Sequence, residues 1–118
     1  MNVTFDRRAL LKLFRLLKKG RSPAAQWLRV TAVADQLICE SGGGLVSLPA
    51  LVLEPGAFTT RRPAFERVLG SYTGKATLML QADANRFRID TFSGQLLDYH
   101  PTPALPADYE SPPDGLET

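Results

Sequence analysis

Cysteine is scarce in this sequence, and several other features of secreted or membrane proteins are missing. Cys39 is the only cysteine among 118 residues, so an intrachain disulfide and a cysteine-based zinc site are both excluded. No apolar run approaches the ~20 residues that span a bilayer. Arg7, Arg8 and Lys12 interrupt the apolar positions near the N-terminus, which argues against a signal peptide. We predict a soluble, cytoplasmic protein with no membrane partner.

Residues that could form a catalytic site are also few. The single histidine, His100, precedes Pro101, a position typical of surface rather than of an oriented catalytic cleft. The stretch 70–76 resembles a phosphate-binding loop, but it is one residue short and ends in alanine where a magnesium-binding hydroxyl is required. We therefore predict no enzyme activity, no cofactor and no metal. A hydrolase built from carboxylates that meet only in the fold is a weaker alternative.

Acidic residues are absent between Asp6 and Asp35, whereas basic residues are concentrated there. Residues 1–30 carry eight basic side chains against one acid, out of 14 basic residues in the chain. Residues 101–118 show the reverse, with five prolines, four acids and no basic residue. Such segregation favours one electropositive surface and an anionic partner.

The hydrophobic pattern predicts one α+β domain with two helices on mostly antiparallel sheet. A strand over 2–5 is followed by a helix over 7–19 that ends at Gly20. Strands are predicted in the stretch 27–60, then a shorter helix over 61–69, and then strands over 76–81, 86–92 and 95–99. We assign the order β-α-ββββ-α-βββ. Residues 1–109 form the domain, and residues 110–118 form an acidic, proline-containing tail that we expect to be flexible.

The first predicted helix has two distinct faces. At 100° per residue, Arg8, Lys12, Arg15 and Lys19 fall within about 60° of arc. Leucines and Phe14 occupy the opposite face, which is the predicted core side. Two basic residues at the helix N-terminus are disfavoured by the helix dipole, which points to an external anion. A solvated charged face and a membrane-surface helix are the alternatives, although the aromatic border of a membrane helix is weak.

Three stretches of the chain resemble one domain of a DNA sliding clamp, in particular the N-terminal domain of the bacterial DNA polymerase III beta subunit. The opening Asn2-Val-Thr-Phe-Asp-Arg-Arg-Ala-Leu-Leu-Lys-Leu-Phe is similar to the clamp's first strand and helix. Glu54-Pro-Gly-Ala-Phe-Thr-Thr, followed by Phe65-Glu-Arg-Val-Leu, resembles the entry to its second helix. Leu105-Pro-Ala-Asp-Tyr resembles the motif that closes a clamp domain. The resemblance covers residues 1 to about 109.

The resemblance implies a non-catalytic protein that contacts duplex DNA without reading its sequence. In that family six domains close a ring, and both helices of each domain line the hole. The residues that would face DNA here are Arg7, Arg8, Lys12, Arg15, Lys19, Arg61, Arg62 and Arg67. Because this chain holds one domain where clamp subunits hold two or three, a homo-oligomer is implied, and replication proteins are possible partners.

A second hypothesis assumes the same fold but no DNA binding. In this hypothesis the chain is a protein–protein interaction module that docks through an exposed edge strand. Its basic face would then meet an acidic partner, and the acidic tail could cover that face in the same or a neighbouring chain.

Overall fold

The computed structural model describes residues 1–17 and 26–103 of the chain. In this part the chain forms two helices and ten strands. In chain order they are β1 Asn2–Asp6, α1 Arg7–Phe14, β2 Trp27–Val33, β3 Gln36–Ser41, β4 Gly44–Pro49, β5 Leu51–Glu54, β6 Gly56–Arg61, α2 Arg62–Ser71, β7 Thr77–Ala82, β8 Phe87–Ile89, β9 Phe92–Gly94 and β10 Asp98–His100.

The strands form two five-stranded sheets in which every pairing is antiparallel. Sheet I has the order β5-β1-β7-β8-β9, and sheet II has the order β10-β6-β2-β3-β4. If the labels β1–β5 and β6–β10 are exchanged in order, the strand order of sheet I becomes the strand order of sheet II. The domain is therefore built from two β-α-ββββ halves with the same topology, one beginning at Asn2 and the other at Gly56.

One face of each sheet and the inner faces of both helices enclose a single core. A row of aromatic rings crosses it. Phe14 of α1 meets Phe65 of α2 at 6.1 Å between ring centroids, and Phe65 meets Phe87 of sheet I at 5.7 Å. Phe58 of sheet II stacks on Phe87 at 5.2 Å. Aromatic pairs at such separations add to the stabilisation from burial, so these rings tie both sheets to both helices.

The α+β class with two helices on antiparallel sheet is confirmed. Each half contains one more strand than in the order predicted from the sequence. The predicted strand over 86–92 is two strands, because Asp90 adopts a positive φ of 51° and the chain turns there into β9. The predicted strand over 95–99 is the shorter β10.

The first helix is shorter than predicted, and the predicted end at Lys19 is wrong. The helix α1 ends at Phe14, and residues 15–17 form a turn in which the amide of Leu17 donates to the carbonyl of Phe14 at 3.2 Å. Leu17 is nevertheless buried, as are Leu10 and Phe14, so the predicted core side is confirmed for these residues. Lys19 lies outside the described residues.

The domain boundary at residue 109 and the tail over 110–118 also lie outside the described part and stay predictions. Among the residues that the structure describes, no helix has the length and apolar character needed to cross a membrane.

Candidate nucleic-acid interface

The helices α1 and α2 lie side by side in opposite directions, and a buried arginine at the start of each one fixes this arrangement. Arg7, the first residue of α1, reaches the carboxyl end of α2, and Arg62, the first residue of α2, reaches the carboxyl end of α1. The exposed side of each helix faces away from the core that both helices share.

Arg7 is almost fully buried, with 7% of its surface exposed. Its Nη1 donates to the carbonyl of Leu69 at 3.1 Å, and its Nε donates to the carbonyl of Lys75 at 2.9 Å. The carbonyls of a last helical turn lack partners within the helix and carry partial negative charge. Arg7 therefore caps α2, and its hydrogen-bonding groups are used inside the protein.

Arg62 has the same role for α1 and is 3% exposed. Its Nη2 donates to the carbonyls of Phe14 and Leu17, each at 3.1 Å, and its Nε pairs with the carboxylate of Glu66. Arg62 thus holds the turn in which α1 ends. Because Arg7 and Arg62 are buried and engaged, we leave both out of the candidate interface, although the sequence placed them in it.

Four of the predicted cations are exposed on the helices. Arg8, Lys12 and Arg15 are exposed on α1 and its end, and Arg67 is exposed on α2. Among the described residues none of the four forms an ion pair. We call Arg8, Lys12, Arg15 and Arg67 the basic helix surface.

The acids near the basic helix surface do little to neutralise it. Glu66 is half-buried and pairs with Arg62. Asp6 is the N-cap of α1, where one carboxylate oxygen accepts from the amides of Arg8 and Ala9 at 2.9 and 3.2 Å. An N-cap carboxylate stabilises the helix that carries Arg8. The two helices therefore carry four exposed cations that no described ion pair neutralises.

Arg61 is exposed but is engaged with a residue of β2. It is the N-cap residue of α2, and its guanidinium carbon lies 5.9 Å from the centroid of the Trp27 ring. Both residues line an apolar cleft at one end of sheet I, described below. Sequence reasoning assigned Arg61 to DNA and did not predict the cleft, because Trp27 and Arg61 are brought together only by the pairing of β2 with β6.

Cys39 does not have the properties of a reactive thiol. Cys39 is fully buried, and this burial raises the pKa of its thiol from 9.0 to about 12, so it carries no reactive thiolate near neutral pH. Within residues 1–17 and 26–103, no cluster of three histidine, cysteine, aspartate or glutamate side chains could hold a metal ion.

Solved structures of bacterial DNA polymerase sliding clamps share this architecture. The chain superposes on the Caulobacter crescentus DNA polymerase III beta structure with a TM-score of 0.64 and 20% identity, over 92% of this chain and 33% of that one. This chain has the fold of one sliding-clamp domain. The Helicobacter pylori beta clamp in complex with carprofen gives a TM-score of 0.67 at 13% identity, covering 91% and 32% of the two chains.

A sliding clamp from Pseudomonas aeruginosa, the DNA polymerase III beta subunit bound to griselimycin, matches with a TM-score of 0.63 and 18% identity. The match covers 95% of this chain and 33% of that one, so the present chain spans about a third of the clamp chains that it resembles. No protein-family model matches the sequence, and no curated protein matches it.

Proposed function

We propose that this protein is a non-catalytic, clamp-like protein that contacts the phosphates of duplex DNA through the basic helix surface. The observation that carries the proposal is that Arg8, Lys12, Arg15 and Arg67 are exposed on the antiparallel helix pair, with no described acid paired to them. Phosphate contacts give affinity without sequence readout. The clamp-domain fold supports this proposal.

The proposed function also requires several copies, because one domain cannot encircle a duplex. Within residues 1–17 and 26–103, each sheet ends in strands that pair on one side only, β5 and β9 in sheet I and β10 and β4 in sheet II. Unpaired edge strands offer backbone groups to a neighbouring chain, so we propose self-association through sheet edges. The mass in solution, measured by sedimentation, checks this part independently of DNA.

The DNA contact is tested by reversing charge on the basic helix surface. The double variant Lys12→Glu/Arg15→Glu should bind duplex DNA at least ten times more weakly, because both side chains are exposed cations of the surface. The matched control is Arg86→Glu/Arg88→Glu, which changes the net charge equally at exposed residues of the β7–β8 hairpin. Equal losses in both variants would contradict the proposed interface.

Salt dependence separates phosphate contacts from other binding. For the wild type, log affinity should fall linearly with log salt, with a slope of about −0.9 for each phosphate neutralised. The slope of the Lys12→Glu/Arg15→Glu variant should be shallower. An affinity that does not change with salt would overturn the proposal.

The second candidate function, a protein–protein interaction module, is favoured by a different observation. Large apolar side chains, among them Trp27, Phe92 and Leu97, are exposed together around one cleft.

A further inference from the structure

The outer face of sheet I, on the side away from the core, carries exposed apolar side chains at its β5 edge. Leu51 and Leu53 of β5 are each 59% exposed, and Met79 of β7 is 41% exposed. Thr4 of β1 lies between Leu51 and Met79 and pairs with both, so the three strands present these side chains in one row. Exposed apolar side chains gathered in this way are typical of a docking site.

The other half of the domain shows that the fold does not require apolar side chains in this row. In sheet II the corresponding threonine is Thr59 of β6, and its neighbours on either side are Asp98 of β10 and Arg29 of β2. Polar side chains thus occupy the two positions that Leu51 and Met79 occupy in sheet I. Because the same strand pairing forms with an acid and a base there, folding does not account for a leucine and a methionine in water.

The strand β5 has a free side on which a further strand can pair. It is an edge of sheet I and, within the described part of the chain, pairs only with β1. Edge strands commonly protect their free backbone with charges or proline, but Leu51-Val52-Leu53 contains neither. A peptide strand added along β5 would bring alternate side chains against Leu51 and Leu53, which lie two residues apart on one face.

The charged residues around β5 are acids. Glu54, at the end of β5, is 72% exposed and lies 3.9 Å from the N-terminal amino group. Asp35 is exposed near the start of β5, where its carbonyl accepts from the preceding amide at 3.1 Å. Asp6, Asp35 and Leu51 line one open hollow of about 560 Å³, whose described lining includes no basic residue. Residues 31–60 contain three acids and no lysine or arginine, so this surface suits a basic ligand.

We propose that β5 binds a basic, leucine-containing segment of a partner protein as an added strand. Two apolar side chains of that segment lie against Leu51 and Leu53, and flanking lysine or arginine side chains pair with Asp35 and Glu54. The acids disfavour nucleic acid here, because they repel phosphates. They also disfavour a second copy, because antiparallel pairing of two β5 strands would place Glu54 of one copy near Asp35 of the other. The remaining edge strands are left for self-association.

A synthetic peptide with the chemistry of the proposed segment provides the probe. It contains leucine, threonine and leucine in succession, with two lysines on each side and a fluorescein label. Titration with the full chain should give a saturable rise in anisotropy. Replacing the four lysines by glutamates should weaken binding at least tenfold. Placing the two leucines next to each other should do the same, because neighbouring side chains of a strand point to opposite faces.

Methylation of peptide backbone nitrogens tests whether the peptide binds as a strand. Alternate amides of a strand point to the same side, so the amides of the two leucines face one way and that of the threonine faces the other. Only one of these two sets can donate to β5. Methylation of both leucine amides and methylation of the threonine amide should therefore differ in their effect on affinity by at least tenfold.

The sharpest protein variant gives the row in sheet I the residue types of the row in sheet II. Leu51→Asp/Met79→Arg leaves the net charge unchanged and should weaken the peptide at least tenfold. Because sheet II folds with these types, the thermal midpoint should change by no more than about 4 °C. The matched control is Leu97→Ser, which removes an exposed leucine of another segment and should alter affinity by less than twofold.

A second pair of variants tests the acids. Asp35→Asn/Glu54→Gln should weaken the peptide at least fivefold, and asparagine tolerates the positive φ of 57° at position 35. The control Glu40→Gln/Asp98→Asn removes the same charge from sheet II and should change affinity by less than twofold.

Four results would overturn the proposal. They are the absence of saturable binding, binding that Leu51→Asp/Met79→Arg leaves unchanged, equal effects of the two methylated peptides, and a fall in sedimentation mass of that variant without peptide. The last result would assign β5 to a second copy. Duplex DNA binding by the basic helix surface should be the same in Leu51→Asp/Met79→Arg as in the wild type, so failure of either proposal leaves the other intact.

Discussion

Two consecutive arginines stand at the start of each helix, and in each pair one arginine is buried and the other is exposed. Arg7 and Arg62 are buried against helix carbonyls, whereas Arg8 and Arg61 are exposed. Each buried guanidinium bonds to backbone oxygens of the other helix. A positive charge at a helix N-terminus is thus matched inside the protein by the negative end of its neighbour. Among the described residues the exposed arginines have no such partner, and they are the ones available to a ligand.

Replacing a buried arginine should therefore destabilise the domain. We expect Arg62→Met to lower the free energy of unfolding by about 3 kcal/mol, because it leaves the carbonyls of Phe14 and Leu17 without their charged donor. Arg67→Met removes an exposed arginine of the same helix and should change stability by less than about 0.5 kcal/mol. Urea denaturation of both variants measures the difference. Similar losses would show that Arg62 has no special structural role.

The buried thiol of Cys39 predicts a loss of stability in alkali. Burial holds its pKa near 12 in the folded chain, against 9.0 when exposed. Between these values the unfolded chain binds fewer protons than the folded one, so the free energy of unfolding falls as pH rises. The slope is at most about 1.4 kcal/mol per pH unit. In Cys39→Ala this contribution is absent, so the stability difference between the two proteins should shrink from pH 9 to pH 11.

At the scale of elements, Gly94 and Gly70 differ in how closely their surroundings pack. The same glycine-to-alanine substitution should therefore have opposite effects on stability at these two positions. A Cβ on Gly94, in edge strand β9, would lie 2.4 Å from the Phe87 ring, while one on Gly70, in α2, would meet nothing within 4 Å. Gly94→Ala should cost about 1–3 kcal/mol through overpacking. Gly70→Ala should stabilise the domain by about 0.5–1 kcal/mol, because alanine favours the helix. Thermal unfolding of the pair distinguishes them.

Helices and strands could be predicted from the sequence where a local pattern of apolar residues determines them. The spacing of Leu10, Phe14 and Leu17 identified the core side of the first helix, and the alternation in β7 identified a strand. The end of α1 was not predictable, because the donor that holds its last carbonyls is Arg62, 48 residues away from Phe14. The break between β8 and β9 depends on a left-handed Asp90, a conformation that the surrounding residue types do not require.

The candidate sites likewise contain some residues that could be predicted from the sequence and others that could not. Helical periodicity was enough to place Arg8, Lys12 and Arg15 on one exposed side. The same reasoning included Arg7, because periodicity does not reveal that a neighbouring helix end will bind it. The apolar cleft was missed altogether, since Trp27, Phe92 and Leu97 come from three separate segments that meet only when the two sheets are assembled.

At the scale of the whole molecule, charge is divided between the domain and its C-terminal residues. The chain has a net charge of +2, made of +6 for residues 1–103 and −4 for residues 104–118. Opposite charge within one chain competes with an external anion for the same cations. If the basic helix surface binds DNA, the acidic residues should lower its affinity in a salt-dependent way.

Deleting residues 110–118 tests this competition. The deletion removes Glu110, Asp114 and Glu117 and raises the net charge from +2 to +5. We expect tighter binding of duplex DNA at low salt and a difference that disappears as salt screens the charges. Fluorescence anisotropy of labelled duplex at several salt concentrations provides the measurement. An unchanged affinity at low salt would show that these residues do not act on the DNA surface.

Each helix places a buried arginine against the carboxyl end of the other helix, and this arrangement also has a kinetic consequence. Because Arg7 must leave the end of α2 when α1 unravels, and Arg62 must leave the end of α1 when α2 unravels, neither helix can open alone without stranding a buried charge. Their backbone amides should therefore exchange with deuterated solvent as one cooperative unit rather than two. In Arg62→Met this unit should separate, and the amides of α1 should then exchange faster than those of α2.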